Sequence, residues 1–179
     1  MSRLGLAFAL VVVVLMGTAF FGYMLRASLD DDDDGVARAA AGTSPADALA
    51  ATTDAFPPFD GFTESYVGTD DRCLRVVIAD ESDERVQGLR GVSDLGNYDG
   101  MLFVFGEDSH SSFTMADTLI PLDIGWYDAN GDPVDRTVMQ PCPDAEVECP
   151  PYAARGPYRY ALETEAGSGG GGSIGACPS

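Results

Sequence analysis

Lysine is absent from this chain of 179 residues, whose ten basic residues are all arginine, and histidine occurs once. The 29 acidic residues bring the formal net charge at pH 7 to −19. Because nucleic-acid phosphates need a positive patch, we expect no nucleic-acid partner. Molar salt screens the self-repulsion of such an acidic surface, so we expect a halophilic source. An ordinary acidic protein with an acidic linker is the alternative.

Most motifs of metal and cofactor sites are also missing. The single histidine, His110, lies in a turn rich in Ser and Asp, where we expect it to be exposed. One histidine excludes the usual blue-copper ligand set. The sequence contains no complete D-x-[DN]-x-[DN]-G-x5-E calcium loop and no C-x-x-C spacing typical of zinc. We therefore expect neither a cofactor nor a bound metal ion.

The chain opens with a long apolar segment. Residues 4–25 carry no charge, and a helix of this length, rising about 1.5 Å per residue, spans a hydrocarbon core of about 30 Å. The segment exceeds the usual signal-peptide core, and no small-residue cleavage pattern follows it. Residues 1–26 therefore predict an uncleaved transmembrane signal anchor, with a cleaved signal peptide as the alternative. Arginines flank the segment on both sides and do not fix its orientation.

Composition divides the rest of the chain into three parts. Residues 27–65 predict an acidic, flexible linker, because the five aspartates Asp30–Asp34 stay solvated and no sustained apolar face follows them. Within it, Phe56–Phe59 (FPPF) either docks on the domain or acts as a stiff spacer. Residues 66–167 predict a single domain, and residues 168–179 a glycine-rich tail that carries Cys177.

Apolar patterning in the domain predicts a mostly β fold of the α+β class with one or two short helices. Met101–Phe105 is a continuous apolar run, which is typical of a strand buried on both faces. Leu74–Ala79, Pro133–Met139 and Tyr158–Leu162 predict further strands. A short helix at about 83–90 is expected after the first of them, ending near a glycine.

Four cysteines allow three disulfide pairings. A local Cys142–Cys149 bridge closes easily across a short acidic loop, which leaves Cys73–Cys177 to pin the tail to the start of a strand. Because disulfides persist in oxidising compartments, we expect a single-pass protein of the cell membrane with its domain on the extracytoplasmic side. A zinc site is the competing explanation for the cysteines.

Candidate site residues are acidic or basic groups at apolar positions. Asp123 stands between two apolar residues, so it faces a pocket, caps backbone N–H groups or lies on the solvent face. Arg85, on the expected helix, is either solvated or paired with a buried carboxylate such as Asp123. Asp117 and Asp123 together would form the paired carboxylates of a hydrolase or proton-transfer enzyme.

Several short motifs, in order, resemble the domain-of-unknown-function 192 family. They are Glu84-Arg85 with Gly88-Leu89, Gly100–Phe105, Phe113-x-Met115, Thr118–Ile124, Asp128-x-x-Gly131 and Tyr160–Glu163 with Gly167. The resemblance implies a compact, barrel-like β domain, often secreted or membrane-anchored, and brings no established reaction. The family usually has Phe-Trp-Met followed by Lys-Asn-Thr. In this chain Thr114 stands in place of the tryptophan, Ala116 in place of the lysine and Asp117 in place of the asparagine, so any shared ligand site is altered and more acidic here.

These observations favour a non-catalytic accessory or binding domain that is tethered outside the membrane. Its partner would be a membrane or envelope protein, or a small ligand bound near Arg85, Met115, Asp117 and Asp123. A hydrolase that uses the two aspartates and a purely structural, salt-adapted module are the alternatives.

Overall fold

The computed structural model describes residues 44–69, 72–142, 148–169 and 171–177. All of them belong to one compact unit, Gly42–Ser179. The expected signal anchor, residues 1–26, lies outside the described residues. Within the described ranges, no helix has the length and apolar character needed to span a bilayer.

Two short helices and nine strands make up the described part of the chain. In chain order they are α1 (Pro45–Ala48), β1 (Thr53–Asp54), β2 (Thr63–Gly68), β3 (Cys73–Ala79), α2 (Ser82–Gln87), β4 (Gly100–Ser109), β5 (Phe113–Thr114), β6 (Leu122–Tyr127), β7 (Pro133–Met139), β8 (Pro151–Tyr152) and β9 (Tyr158–Glu165). The expected mostly β fold with short helices is therefore confirmed.

Seven of the strands form one sheet in the order β1-β2-β3-β4-β9-β6-β7, and β5 pairs with β8 in a second, small sheet. Neighbouring strands are antiparallel except β3 and β4, which run parallel. A parallel pair needs a crossover connection, and residues 80–99, with α2, provide it. The last strand, β9, lies in the middle of the sheet between β4 and β6.

The large sheet is open, so the expectation of a barrel-like domain is wrong. Closing a barrel requires the first and last strands of the sheet to pair. Here β1 contributes only two residues and pairs with β2, while β7 pairs with β6 at the opposite edge. A strand as short as β1 offers too few backbone groups to hold a second neighbour.

Both faces of the central strands are buried, each by its own apolar cluster. On β3, Val77 and Ala79 belong to the cluster on one face, called face 1 below. Val76 and Ile78 belong to the cluster on the other, called face 2. Side chains alternate between the faces of a strand, so burial on both sides produces a continuous apolar run. This confirms the expectation drawn from Met101–Phe105.

The domain begins earlier than the expected boundary at residue 66. Phe59 is 2% exposed and belongs to the face 1 cluster with Phe62, and its ring meets Tyr98 edge-on at 5.4 Å. Ser65 Oγ donates to the Ala48 carbonyl at 2.6 Å. Residues 44–65 therefore belong to the fold rather than to a flexible linker, because their scattered aromatic residues fill the core even without a periodic apolar face.

The C-terminal segment also docks on the domain. Cys73–Cys177 and Cys142–Cys149 are both disulfide-bonded, as expected. Ile174 is buried and its N–H donates to the Gly131 carbonyl at 2.8 Å. Gly131 has a φ of +86°, and a Cβ atom there would lie 2.0 Å from the Ile174 carbonyl oxygen. Only glycine fits this turn beneath the tail.

A buried polar cluster ties β2 and β3 to the crossover connection. Arg75 pairs with Glu64 at 2.7 Å, and the Tyr98 hydroxyl donates to the same carboxylate while accepting the Phe56 N–H at 2.8 Å. Burial alone would raise the pKa of Glu64, but the hydrogen bonds from Tyr98 and Arg75 hold it below its usual value. Folding therefore favours the ionised carboxylate.

Tyr98→Phe is expected to destabilise the domain by about 1–3 kcal/mol, because it removes one hydrogen bond to the buried Glu64 carboxylate and takes away the hydroxyl that accepts the Phe56 N–H. Urea unfolding at neutral pH measures the change. Tyr66→Phe is the matched control, since the Tyr66 side chain is exposed and the same hydroxyl is removed. Equal losses in the two variants would contradict the role assigned to Tyr98.

Candidate functional site

A cleft of about 340 Å³ lies between α2 and face 1 of the large sheet. Its walls come from α2 and the turn after it, from β4, from the β4–β5 connection with β5, and from β9. The residues that line it are Ser82, Arg85, Val86, Gln87, Gly88, Leu89, Arg90, Phe103, Phe105, Ser111, Ser112, Phe113, Thr114, Thr118 and Glu163. We call this space the helix–sheet cleft.

Helix α2 forms one wall of the cleft. It begins after Glu81, where the Glu84 carboxylate accepts the Glu81 N–H at 3.0 Å. Its last residue is Gln87, and Gly88, with a positive φ of 49°, follows it, whereas the sequence predicted a helix that continues to about residue 90. A Cβ atom at Gly88 would lie 3.3 Å from the Phe103 ring, and buried Leu89 follows. The small residue lets the helix end approach the sheet closely.

Two arginines stand on the helical side of the cleft, each held by backbone carbonyls. Arg85 donates to the Val104 carbonyl at 2.9 Å, and its guanidinium lies 5.2 Å from the centre of the Phe105 ring. Arg90 donates to the Ala116 carbonyl at 2.8 Å and to the Val86 carbonyl at 3.1 Å. These bonds fix both cations on the wall of the cleft.

Aromatic rings form the opposite wall. Phe103 and Phe113 meet edge to face with ring centres 5.0 Å apart, and Phe105 meets Tyr158 in the same way at 5.2 Å. The Tyr158 hydroxyl donates to the Ser111 carbonyl at 2.7 Å, which ties the β4–β5 connection to β9. The result is an aromatic wall in a cleft that is also lined by several polar residues.

Glu163 brings a carboxyl group to the cleft from the middle of the sheet. It lies opposite Met101 of β4 and Ile124 of β6, two buried apolar residues, and it is 5% exposed. Among the described residues, none pairs with its carboxyl group. Burial raises the pKa of Glu163 from 4.5 to about 8, because an unpaired charge is costly in an apolar environment. The group is therefore mostly protonated at neutral pH.

The structure separates the four site residues expected from the sequence. Arg85 lines the cleft. Met115 is buried in the face 1 cluster and does not line it. The Asp117 side chain is 55% exposed and pairs with Arg90 at 3.4 Å. Asp123 accepts the Gly167 N–H at 2.9 Å, which is the capping role considered from the sequence.

Asp117 and Asp123 do not form a pair of catalytic carboxylates. Asp123 lies opposite Thr164 in the sheet, whereas the next residue, Ile124, lies opposite Glu163. Since side chains alternate between faces, Asp123 points to the face opposite the cleft. Asp117 has a positive φ of 59°, and its backbone joins Gly91 to Cys142 through two hydrogen bonds. Its position is explained by this turn.

Three further features of the described residues bear on chemistry. The described residues contain no group of three or more His, Cys, Asp or Glu side chains able to hold a metal ion. Residues 171–175 match the G-x-S-x-G pattern of a nucleophile elbow, but Ser173 donates to Asp132 at 3.0 Å and neither a strand nor a helix of the described part of the chain flanks it. His110 is exposed.

A family model described as "Uncharacterized ACR, COG1430" (DUF192) matches residues 65–171, more than half of the chain. The chain belongs to the DUF192 family. This confirms the family resemblance drawn from the sequence motifs. No curated protein sequence matches this DUF192 chain.

Two solved structures are similar to this DUF192 chain. A protein of unknown function from Novosphingobium aromaticivorans DSM 12444 shares 26% identity, covers 75% of this chain and 97% of its own, and has a TM-score of 0.58. A proposed transcription regulator from Sinorhizobium meliloti 1021 also shares 26% identity, covers 61% of this chain and 88% of its own, and has a TM-score of 0.51. These similarities support the fold of the DUF192 domain.

Glu163 is the residue of the cleft that sequence patterns did not single out. It appears in the family motif Tyr160–Glu163, and it comes directly after Leu162, the last residue of the strand expected from the sequence. The feature of the sequence that could have identified it is an acidic residue directly after Leu162, in a strand whose apolar residues lie on both faces. The same argument drew attention to Asp123, which proved to be a cap.

Glu163→Gln removes the buried carboxyl group that titrates and keeps the size of the side chain. Because the folded-state pKa of about 8 lies above the unfolded value of 4.5, the folded wild type binds more protons in this window and loses stability as the pH rises through it. The loss is at most about 1.4 kcal/mol per pH unit. Urea unfolding from about pH 5 to about pH 8 should show this slope in the wild type and a flatter curve in Glu163→Gln.

Glu165→Gln is the matched control for this experiment. Glu165 lies on the same strand but is exposed, so this variant should follow the wild-type pH dependence. Parallel curves for the wild type and Glu163→Gln would show that the buried carboxyl group does not titrate in this window.

Proposed function

We propose that this DUF192 chain is a non-catalytic, extracytoplasmic binding domain that is tethered to the cell membrane and holds a small amphipathic ligand in the helix–sheet cleft. The observation that carries the proposal is the cleft itself. It combines a wall of phenylalanine rings with two fixed arginines and one unpaired, buried carboxyl group, Glu163.

The size and lining of the cleft support a small molecule. Small-ligand sites are concave, lined mainly by apolar and aromatic groups, and occupy roughly 300–1,000 Å³ with a few placed polar groups. The cleft has a volume of about 340 Å³. Its polar groups stand at different depths, since Arg85 and Arg90 are partly exposed while Glu163 is buried.

The cysteines and the N-terminal sequence support a location outside the cytoplasm. All four cysteines are oxidised, in the pairs Cys73–Cys177 and Cys142–Cys149, as is usual in oxidising compartments. The uncharged residues 4–25 have the length of a membrane-spanning helix. The aspartates that follow would act as a charged tether and keep the domain concentrated near its membrane partners. The net charge of −19 without lysine supports a source that lives in concentrated salt.

A variant that fills the cleft tests ligand binding. Thr114 is exposed and lines the cleft, and tryptophan at this position would occupy the space beside the phenylalanines. With 2-phenylethanol as the probe, we expect amide NMR shifts at Gly88, Leu89 and Thr114 in the wild type. Thr114→Trp should weaken binding about tenfold or more, a loss of about 1.4 kcal/mol.

Thr137→Trp is the matched control, because Thr137 is an exposed threonine on β7 that does not line the cleft. It should bind 2-phenylethanol like the wild type. If the probe shifts no cleft amide in the wild type, or if Thr114→Trp binds as tightly as Thr137→Trp, the cleft is not the binding site.

Blocking thiols in intact cells tests the location. If the domain matures outside the cytoplasm, all four cysteines should resist alkylation until a reductant is added, and mass spectrometry should then find four labels. A fusion reporter at the C-terminus should respond to reagents that do not cross the membrane. Four free thiols, or a reporter that responds only to cytosolic reagents, would contradict the location.

A further inference from the structure

Glu163 places in the helix–sheet cleft a buried carboxyl group that has no partner among the described residues. Glu163 is 5% exposed and lines the cleft, and no described residue donates a hydrogen bond to its carboxyl group or pairs with it. Buried polar groups in native proteins nearly always have a partner. A carboxyl group that lines a cleft without one is therefore placed to meet a group on a ligand.

We propose that the ligand carries an ammonium group that forms an ion pair with the Glu163 carboxylate. This rests on the proposed function, because it assigns the chemical class of the molecule held in the cleft. An ammonium group offers three donors and a full positive charge to the carboxylate. A hydroxyl or amide group would offer a neutral hydrogen bond, which is roughly half as strong.

The aromatic wall favours the same class of ligand. The faces of phenylalanine rings attract cations, and Phe103, Phe105 and Phe113 all line the cleft. One of them already holds a cation, because the Arg85 guanidinium lies 5.2 Å from the centre of the Phe105 ring. Phe103 and Phe113 line the same cleft as Glu163 and offer their rings to a second, smaller cation. A carboxylate or phosphate beside Glu163 would gain no ion pair from it and would be repelled by the acid above its pKa.

The two arginines do not neutralise Glu163. Arg85 and Arg90 are anchored to the carbonyls of Val104 and Ala116, and neither forms an ion pair with Glu163. They therefore place positive charge on the helical wall without pairing with the carboxyl group. This arrangement selects a ligand with one ammonium group, an apolar body and an outer end that is neutral or anionic.

Binding of an ammonium group would ionise Glu163. In the empty cleft, burial raises the pKa of this group to about 8, so at neutral pH the carboxyl group gives its proton to solvent as the cation enters. The other charged groups that face the cleft are Arg85 and Arg90, which remain charged throughout. Proton release on binding, and affinity that rises with pH, are the resulting signatures.

The test compares 2-phenylethylamine with 2-phenylethanol, which has the same shape without the charge. Amide NMR titration of the wild-type domain should show the amine binding about 50-fold more tightly near pH 8 than near pH 6, since the fraction of ionised Glu163 changes by about that factor. The alcohol should bind with little pH dependence. Calorimetry in two buffers should show release of up to about one proton with the amine.

Variants locate the effect at Glu163. Glu163→Gln should lose the pH dependence and the preference for the amine while it still binds the alcohol, and Glu165→Gln should behave like the wild type. If the alcohol binds in the cleft but the amine binds no more tightly, or if amine affinity does not rise with pH, the ammonium proposal fails and the binding function stands. If neither probe shifts the cleft amides, the binding function itself fails. If Glu163→Gln does not fold, the release of a proton when the amine binds the wild type still tests the ammonium proposal.

Discussion

The burial of β9 between β4 and β6 is the constraint on which the rest of the domain depends. Its side chains meet an apolar cluster on each face, so every position along its centre is removed from water. Burial raises the pKa of a carboxyl group at one of these positions, Glu163, to about 8, and no residue of the described part of the chain pairs with it. Holding this carboxyl group in the sheet costs stability as the pH rises toward its pKa, and such costs cluster at functional sites.

The cleft depends on the crossover between the parallel strands β3 and β4. This connection must pass over one face of the sheet, and it does so with a helix of only six residues, none of them buried. Leu89 and the close approach of Gly88 to Phe103 attach the helix end to the sheet. This short polar helix leaves a cleft that Glu163 lines.

Much of the fold could be predicted from the sequence because burial leaves a pattern in it. The apolar run Met101–Phe105, the strand Pro133–Met139 and both disulfides are all present as expected. The sheet order could not be predicted, because insertion of β9 between β4 and β6 pairs residues far apart in the chain. Phe59 was assigned to a linker because a single buried aromatic residue has no period. A single acidic residue also forms no periodic pattern. The sequence alone therefore could not distinguish Asp123, which caps a backbone N–H group, from Glu163, which lines the cleft.

The docked tail places the two ends of the domain at one corner. The Pro45 ring and the Ile174 carbonyl both lie next to Gly131, within about 3 Å of the position its Cβ would take. The first and last segments of the domain are thus neighbours. Domains with this arrangement tolerate insertion into a loop of another protein and circular permutation. The domain can be carried within a larger polypeptide without separating the segments that flank it.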